Sequence, residues 1–168
     1  MLGSFLFQGI DFRFVLKFIM NLHHIKSVIV NLKSKLFGSM TIFSKIIAGE
    51  IPSYKIAENE KFFAFLDIFP LRKGHVLVVP KIETDKFFDL SDDYLGEMLV
   101  FAKPIAKSIE KSFNCNRCGI EVIGLEVPHA HLHLIPINNA NDLNFNQEKL
   151  KLSAEEMKKV QEKIISNL

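Results

Sequence analysis

The segment Pro128-His129-Ala130-His131-Leu132-His133-Leu134-Ile135-Pro136 constrains this chain more than any other. Imidazole and apolar side chains alternate with a period of two, as in a strand whose two faces meet different surroundings. Ala130, Leu132 and Leu134 belong to a core on one side, which leaves three imidazoles lining the other. Each buried imidazole needs its own hydrogen-bond partner, so three at this spacing point to chemistry rather than to packing.

The rest of the chain from Met40 has the pattern of an α+β domain. Thr41–Ile47 places apolar residues on one face of a short helix, and Gly49 and Pro52 close it. Tyr54–Ala57, Phe62–Ile68 and His75–Pro80 read as strands, the last buried on both faces because of its β-branched density. Ser91 is an N-cap for a long helix with apolar positions Leu95, Met98, Leu99, Ala102, Ile105, Ala106, Ile109 and Phe113, bent at Pro104. Gly119–Leu125 and His129–Ile137 are two more strands, and 138–142 is a loop. Ser153 and Glu156 form a capping box for a C-terminal helix carrying Met157, Val160 and Ile164. The expectation is an antiparallel sheet of about five strands, arranged as a meander, with one long helix and a C-terminal helix.

Residues 1–39 differ from this body. They hold five basic side chains against the single Asp11, and their apolar runs are too interrupted for a membrane span of roughly 20 residues. The basic residues follow the first apolar block, the wrong order for a secretory signal. The segment reads as an extension that is poorly ordered or foreign to the native domain, with His23 and His24 incidental, and 40–168 as the domain. Without the extension the body is slightly acidic, which gives no electrostatic case for nucleic-acid binding. With no Trp and 16 Phe, the aromatic core must be phenylalanine. Cys115 and Cys118 are half of a zinc or redox motif with no second half, and read as incidental thiols.

Two chemistries suit the three imidazoles. An HxH pair on a strand can chelate zinc, with Asp67, Glu121, Glu126 or the cysteines completing the set. The outer two Cα atoms would lie roughly 13 Å apart along the strand, which suits one ion poorly. Alternatively, a neutral imidazole attacks phosphorus and forms a covalent intermediate. That nucleophile needs its far nitrogen fixed by an acceptor and donors around the phosphoryl oxygens, which flanking histidines can supply.

The His-Ala-His-Leu-His-Leu-Ile run matches the histidine triad motif, and the chain resembles the histidine triad (HIT) family over nearly all of 40–137. The likeness also covers Thr41–Pro52, Phe65-Leu66-Asp67-Ile68-Phe69-Pro70 and Gly74-His75-Val76-Leu77-Val78-Val79-Pro80-Lys81. The resemblance implies a homodimeric, cytoplasmic nucleotide hydrolase that needs no metal or cofactor. It would cleave at the α-phosphate of nucleoside monophosphate conjugates, either phosphoramidates or dinucleoside polyphosphates. By position, His131 matches the nucleophile and His133 the α-phosphate ligand, with His129 and His75 in support. Asp67 matches the acceptor of the ribose hydroxyls, and Ile42, Phe43, Ile46, Phe65 and Ile68 match the walls of the base pocket. Related nucleotidyl transferases tend to carry Gln at the third triad position, so His133 favours hydrolysis. A metal-dependent hydrolase and a non-catalytic nucleotide-binding protein are the alternatives.

The connection before the triad departs from the family pattern. Val122-Ile123-Gly124-Leu125-Glu126-Val127-Pro128 is short and lacks the Asn and the Gly-Gln-Ser/Thr-Val run. Gly124 keeps a backbone role there, and Glu126 stands where a hydroxyl is expected, which favours phosphoramidate or small neutral leaving groups over long polyphosphates. The zinc-binding cysteines that some members carry near the start are replaced around Thr41 and Ser44, so no structural zinc is expected.

Overall fold

The period-two runs form one sheet, and the long 3.6-period run lies across it. The computed structural model describes residues 40–168; the expectations placed on 1–39, including His23 and His24, lie outside the described residues. Helix α1, Ile42–Ile47, opens where the Thr41 hydroxyl accepts the Ser44 N–H, and Gly49, at φ +77°, follows its end. Strands β1 (Lys55–Glu58), β2 (Phe62–Leu66) and β3 (Val76–Pro80) pair antiparallel in succession. Helix α2, Asp92–Ser112, leads to β4 (Arg117–Glu121), β5 (Leu132–Ile137) and helix α3 (Ala154–Ile165). The sheet order is β1-β2-β3-β5-β4.

That order corrects the simple meander. Helix α2 carries the chain over the sheet so that β4 becomes the far edge, and β5 returns into the gap between β4 and β3. The histidine-bearing strand is therefore central, with Leu77 of β3 and Glu121 of β4 on either side of His133. Its ladder starts at Leu132 rather than at His129, because residues 122–131 leave the sheet as an irregular segment. Alternation survives this loss of pairing: Ala130, Leu132 and Leu134 enter the main core, and the imidazoles stay on the other side.

The main core joins Phe62, Ala64, Leu66, Val76 and Val78 of the sheet to Met98, Ala102, Ile105 and Ile109 of α2. Met157, Val160 and Ile164 of α3 complete it. A smaller cluster of Phe43, Phe63, Phe65, Leu77 and Val79 covers the opposite face under α1. β2 and β3 are thus buried on both sides, as expected for β3. Leu99, expected in the core, is 48% exposed. Ser108 and Ser112 take the buried face beside it and donate to the Ile164 and Lys163 carbonyls at 2.5 and 3.0 Å, satisfying acceptors that the end of α3 leaves open.

The terminal chemistry follows the sequence in part. Ser153 and Glu156 form the expected capping box. Ser91 occupies the N-cap of α2 without a side-chain bond, and Asp92 and Asp93 in the first turn complement the helix dipole. The helix continues through Pro104. The segment expected as a loop contains a 3-10 helix, Ala140–Leu143, capped reciprocally by Asn139 and Asp142. A second short 3-10 turn, Phe87–Asp89, was not legible. No helix among the described residues is long and apolar enough to cross a membrane.

Gly74 ties the layers together just before the site. Its φ is +98°, and a Cβ there would lie 2.4 Å from the Phe113 ring, at the end of α2. Gly74→Ala combines left-handed strain with overpacking, so it should cost about 2–4 kcal/mol of stability. Urea unfolding of the variant beside the parent measures this; a loss under about 1 kcal/mol would mean that the ring moves aside freely.

Candidate functional site

His75, His129, His131 and His133 are all buried on the side of the sheet facing α1. The His131 ring lies 4.9 Å from that of His133 and 5.1 Å from Phe43, edge to face in both cases. Partners that can only donate or only accept determine where each ring holds its proton.

The Leu71 N–H donates to His75 Nδ1 at 3.2 Å, so that nitrogen carries the lone pair and Nε2 carries the hydrogen. Nε2–H then donates to His133 Nδ1 at 2.9 Å. A neutral His133 therefore holds its own hydrogen on Nε2, as a donor. The opposite arrangement holds at His131, whose Nδ1–H donates to the His129 carbonyl at 2.6 Å. In the neutral ring this leaves a lone pair on Nε2, which has no partner among the described residues. One imidazole is thus prepared to attack, and its neighbour to donate.

Burial keeps the supporting rings neutral. Desolvation lowers His75 from 6.5 to about 3 and His133 to about 2, with nearby positive charge adding to the effect. His129 is also lowered, chiefly by burial. Asp67 shifts upward because it is desolvated, although the Phe69 N–H at 2.9 Å stabilises its carboxylate. Its other oxygen is 3.5 Å from His75 Nδ1. This contact is not an ion pair, since His75 is neutral and Nδ1 already accepts from Leu71.

The three side chains Asp67, His75 and His133 each place a possible ligand atom within 4.8 Å of the others. An ion there would have to break the Leu71–His75–His133 chain, whose facing nitrogens are already bonded to each other. The pair His129 and His131 offers less: both ring nitrogens of His129 are engaged, by Thr41 Oγ1 and the Pro80 carbonyl, each at 2.8 Å. Burial pushes the Cys118 thiol up to about 12, far from a thiolate, and Cys115 is shifted the same way.

Of the expected pocket residues, Phe43 and Phe65 lie in the apolar cluster beside the imidazoles, with Ile46 packed against it. Ile42 and Ile68 are exposed, free to close on a ligand rather than to fill the core. Gly124 has φ +67° and lines a cavity of about 310 Å³ that reaches His131, together with Phe87, Phe88 and Ile123. Glu126 is exposed, and none of the four histidines bonds to it.

Sequence reasoning missed several neighbours. The Phe145 ring packs edge-on against His133 at 4.9 Å, and Lys149 lies 4.3 Å above the Phe145 ring. These residues come from an irregular segment with no periodicity to mark them. Thr41 bonds to His129, and its only sequence signal is that of a helix cap.

Known proteins resemble this chain in sequence and fold. A family model described as "HIT domain" matches residues 48–140. An adenosine 5'-monophosphoramidase of Schizosaccharomyces pombe is 36% identical, over 76% of this chain and 97% of its own. Another, from Saccharomyces cerevisiae, is 41% identical over 56% of this chain; the match spans 61% of that relative. Among solved structures, a HIT family member from Bacillus subtilis is 30% identical with a TM-score of 0.58, covering 77% of this chain and 98% of its own. A Hit-like protein from Bartonella henselae is 28% identical with a TM-score of 0.66, covering 76% and 96%.

Neutral burial of imidazoles has a measurable consequence. Unfolded histidines titrate near 6.5, whereas His75 and His133 titrate near 3 and 2 in the fold. Between those values the unfolded chain binds more protons, so this stability is complete above about pH 6.5 and is lost as the pH falls. Each ring should cost about 1.4 kcal/mol per pH unit over that window. Unfolding midpoints compared at about pH 7.5 and about pH 5 should drop clearly; equal midpoints would refute neutral burial.

Proposed function

The chain belongs to the HIT domain family, and from that premise we propose that it is a nucleotide hydrolase acting through a nucleotidyl–His131 intermediate. The observation that carries this reading is the opposed proton placement on two adjacent rings. His131 has an Nε2 lone pair because its Nδ1–H is held by a carbonyl, and His133 has an Nε2–H because its Nδ1 is held by His75.

The steps follow from that placement. His131 Nε2 attacks the α-phosphorus and forms a P–N bond as the bond to the leaving group breaks. His133 Nε2–H faces the phosphoryl oxygens, where negative charge accumulates. The positive charge that attack creates on the His131 ring is shared with the His129 carbonyl through the 2.6 Å bond. The departing amine takes a proton from solvent; water then attacks the same phosphorus as the P–N bond breaks, gives a proton back to solvent, releases the nucleoside monophosphate and returns the lone pair to Nε2. Asp67 accepts the ribose hydroxyls, and Ile42, Phe43, Ile46, Phe65 and Ile68 enclose the base. The relatives named as adenosine 5'-monophosphoramidases support a phosphoramidate substrate. Glu126 is too far out to bond the imidazoles, so any influence on the leaving group is exerted at the rim.

Mass spectrometry of protein quenched with adenosine phosphoramidate should find an adenylyl adduct on His131. His131→Ala should lose at least about a thousandfold in turnover while keeping its unfolding midpoint, consistent with loss of a nucleophile. Full activity in that variant would exclude the reading. Turnover of diadenosine tetraphosphate much faster than that of the phosphoramidate would overturn the leaving-group assignment.

The same family premise supports a homodimer, and the edge of the sheet suits it. β4 is an edge strand, and Ile120 on it, Val122 just beyond it, and Leu99 and Val100 on α2 are exposed. Such an apolar edge with unpaired backbone groups favours pairing with a second copy. Light scattering should give twice the chain mass, and Ile120→Lys should shift it toward the monomer.

A further inference from the structure

Linked hydrogen bonds reach from the protein surface to His129, the first histidine of the triad, and the proposed reaction leaves them unexplained. Glu83 accepts the Ser44 hydroxyl and, at 3.2 Å, the Thr41 N–H. Ser44 Oγ lies 2.9 Å from Thr41 Oγ1, which in turn lies 2.8 Å from His129 Nδ1. His129 Nε2 lies 2.8 Å from the Pro80 carbonyl. Three segments that are distant in sequence thus converge on one ring: the start of α1, the segment after β3, and the approach to β5.

The proton order along this chain is determined. A carbonyl only accepts, so His129 carries its hydrogen on Nε2. Nδ1 is then a lone pair, and the Thr41 hydroxyl must donate to it. Its oxygen also accepts the Ser44 N–H at 3.1 Å, which caps α1. With the Thr41 proton committed to His129, Ser44 turns its own proton to the Glu83 carboxylate; the two hydroxyl oxygens then share no proton, and Ser44 holds Thr41 Oγ1 through its N–H instead. The segment beside Glu83 grips the same strand again, since the Thr84 carbonyl accepts the Ala130 N–H at 2.6 Å.

We propose that Thr41, anchored by Ser44 and Glu83, is a positioning residue for the nucleophile. It fixes the tautomer and orientation of His129, and the His129 carbonyl holds His131 Nδ1–H. Residues 122–131 have no ladder to hold them, so His129 and its carbonyl need anchors other than strand pairing. The Pro80 carbonyl supplies one on the ring, and Thr41 the other. A ring flip would put carbons where Nδ1 and Nε2 now stand and lose both bonds, so the two contacts together fix the orientation of the ring. Thr41 touches neither substrate nor the reacting atoms; it acts through the geometry of the residue that does.

This inference rests on the reading of His131 as nucleophile, and the test separates the two. Adenosine phosphoramidate turnover by the parent and by His131→Ala decides that reading first. Thr41→Val, which removes the hydroxyl while preserving shape, should lower kcat at least tenfold with KM changed less than threefold, and Thr41→Ser should restore most of kcat. Glu83→Ala should lower kcat at least threefold, and the double variant Thr41→Val with Glu83→Ala should be no slower than Thr41→Val alone, because both act through one chain. Nitrogen NMR of the histidine rings gives a readout independent of activity. The His129 Nδ1 signal should move toward that of an unbonded nitrogen in Thr41→Val and shift in Glu83→Ala, although Glu83 does not touch the ring. If Thr41→Val does not fold, the kinetics and ring spectrum of Glu83→Ala decide alone. Unchanged kcat in the folded variants, a loss confined to KM, losses that multiply in the double variant, or an unmoved His129 signal would each overturn the proposal.

Discussion

Two backbone groups decide what His131 and His133 can do. The Leu71 N–H can only donate and the His129 carbonyl can only accept, and the protons of His75, His133 and His131 are placed by propagation from them. Rings that are chemically identical thereby acquire opposite roles two residues apart, at the entry to β5. The Leu71 contact exists because the 67–75 loop folds back on itself, with the Asp67 N–H on the His75 carbonyl and the His75 N–H on the Arg72 carbonyl. Gly74 makes that turn possible at positive φ and against the Phe113 ring. A loop conformation thus sets the tautomer of a histidine two strands away in sequence order.

The cost of this arrangement is desolvation. Imidazolium would be badly solvated beneath Phe145 and beside Phe43, so burial keeps His75, His129 and His133 neutral, and each is bonded to a neighbour. The same lack of water strengthens a hydrogen bond to developing charge during phosphoryl transfer. What weakens the fold in acid is therefore what equips the site, and the main core under α2 and α3 supplies the compensating burial.

Much of this was legible in the sequence, for identifiable reasons. The alternation in 129–134 announced a strand with two environments, and it persists even where the ladder is absent, because the core still draws in Ala130. The Ser153 capping box and the Gly49 stop are local, so local sequence reveals them. Strand order was not legible, since nothing in β4 or β5 alone says which becomes the edge; that depends on where α2 sets the chain down. Thr41 read only as the start of a helical stretch; it caps the helix, and its second bond depends on the placement of a residue 88 positions away. Phe145 carried no signal, because its contact with His133 is made by an irregular segment.

The sheet divides its labour by parity. Along β2, Phe62, Ala64 and Leu66 enter the main core while Phe63 and Phe65 turn to the site; along β3, Val76 and Val78 face one way and Leu77 and Val79 the other. A one-residue slip in either register would exchange the two sets and turn the site-facing residues toward the helices. Burial on both faces makes such a slip expensive, because apolar residues would move to a face whose neighbours are shaped for a different set. The precision of the site thus derives from the same alternation that first marked it in the sequence. His133 faces Leu77 because β3 and β5 are locked in register by Val76 against Leu134 and Val78 against Leu132. Packing on the side away from the chemistry fixes where the donor stands.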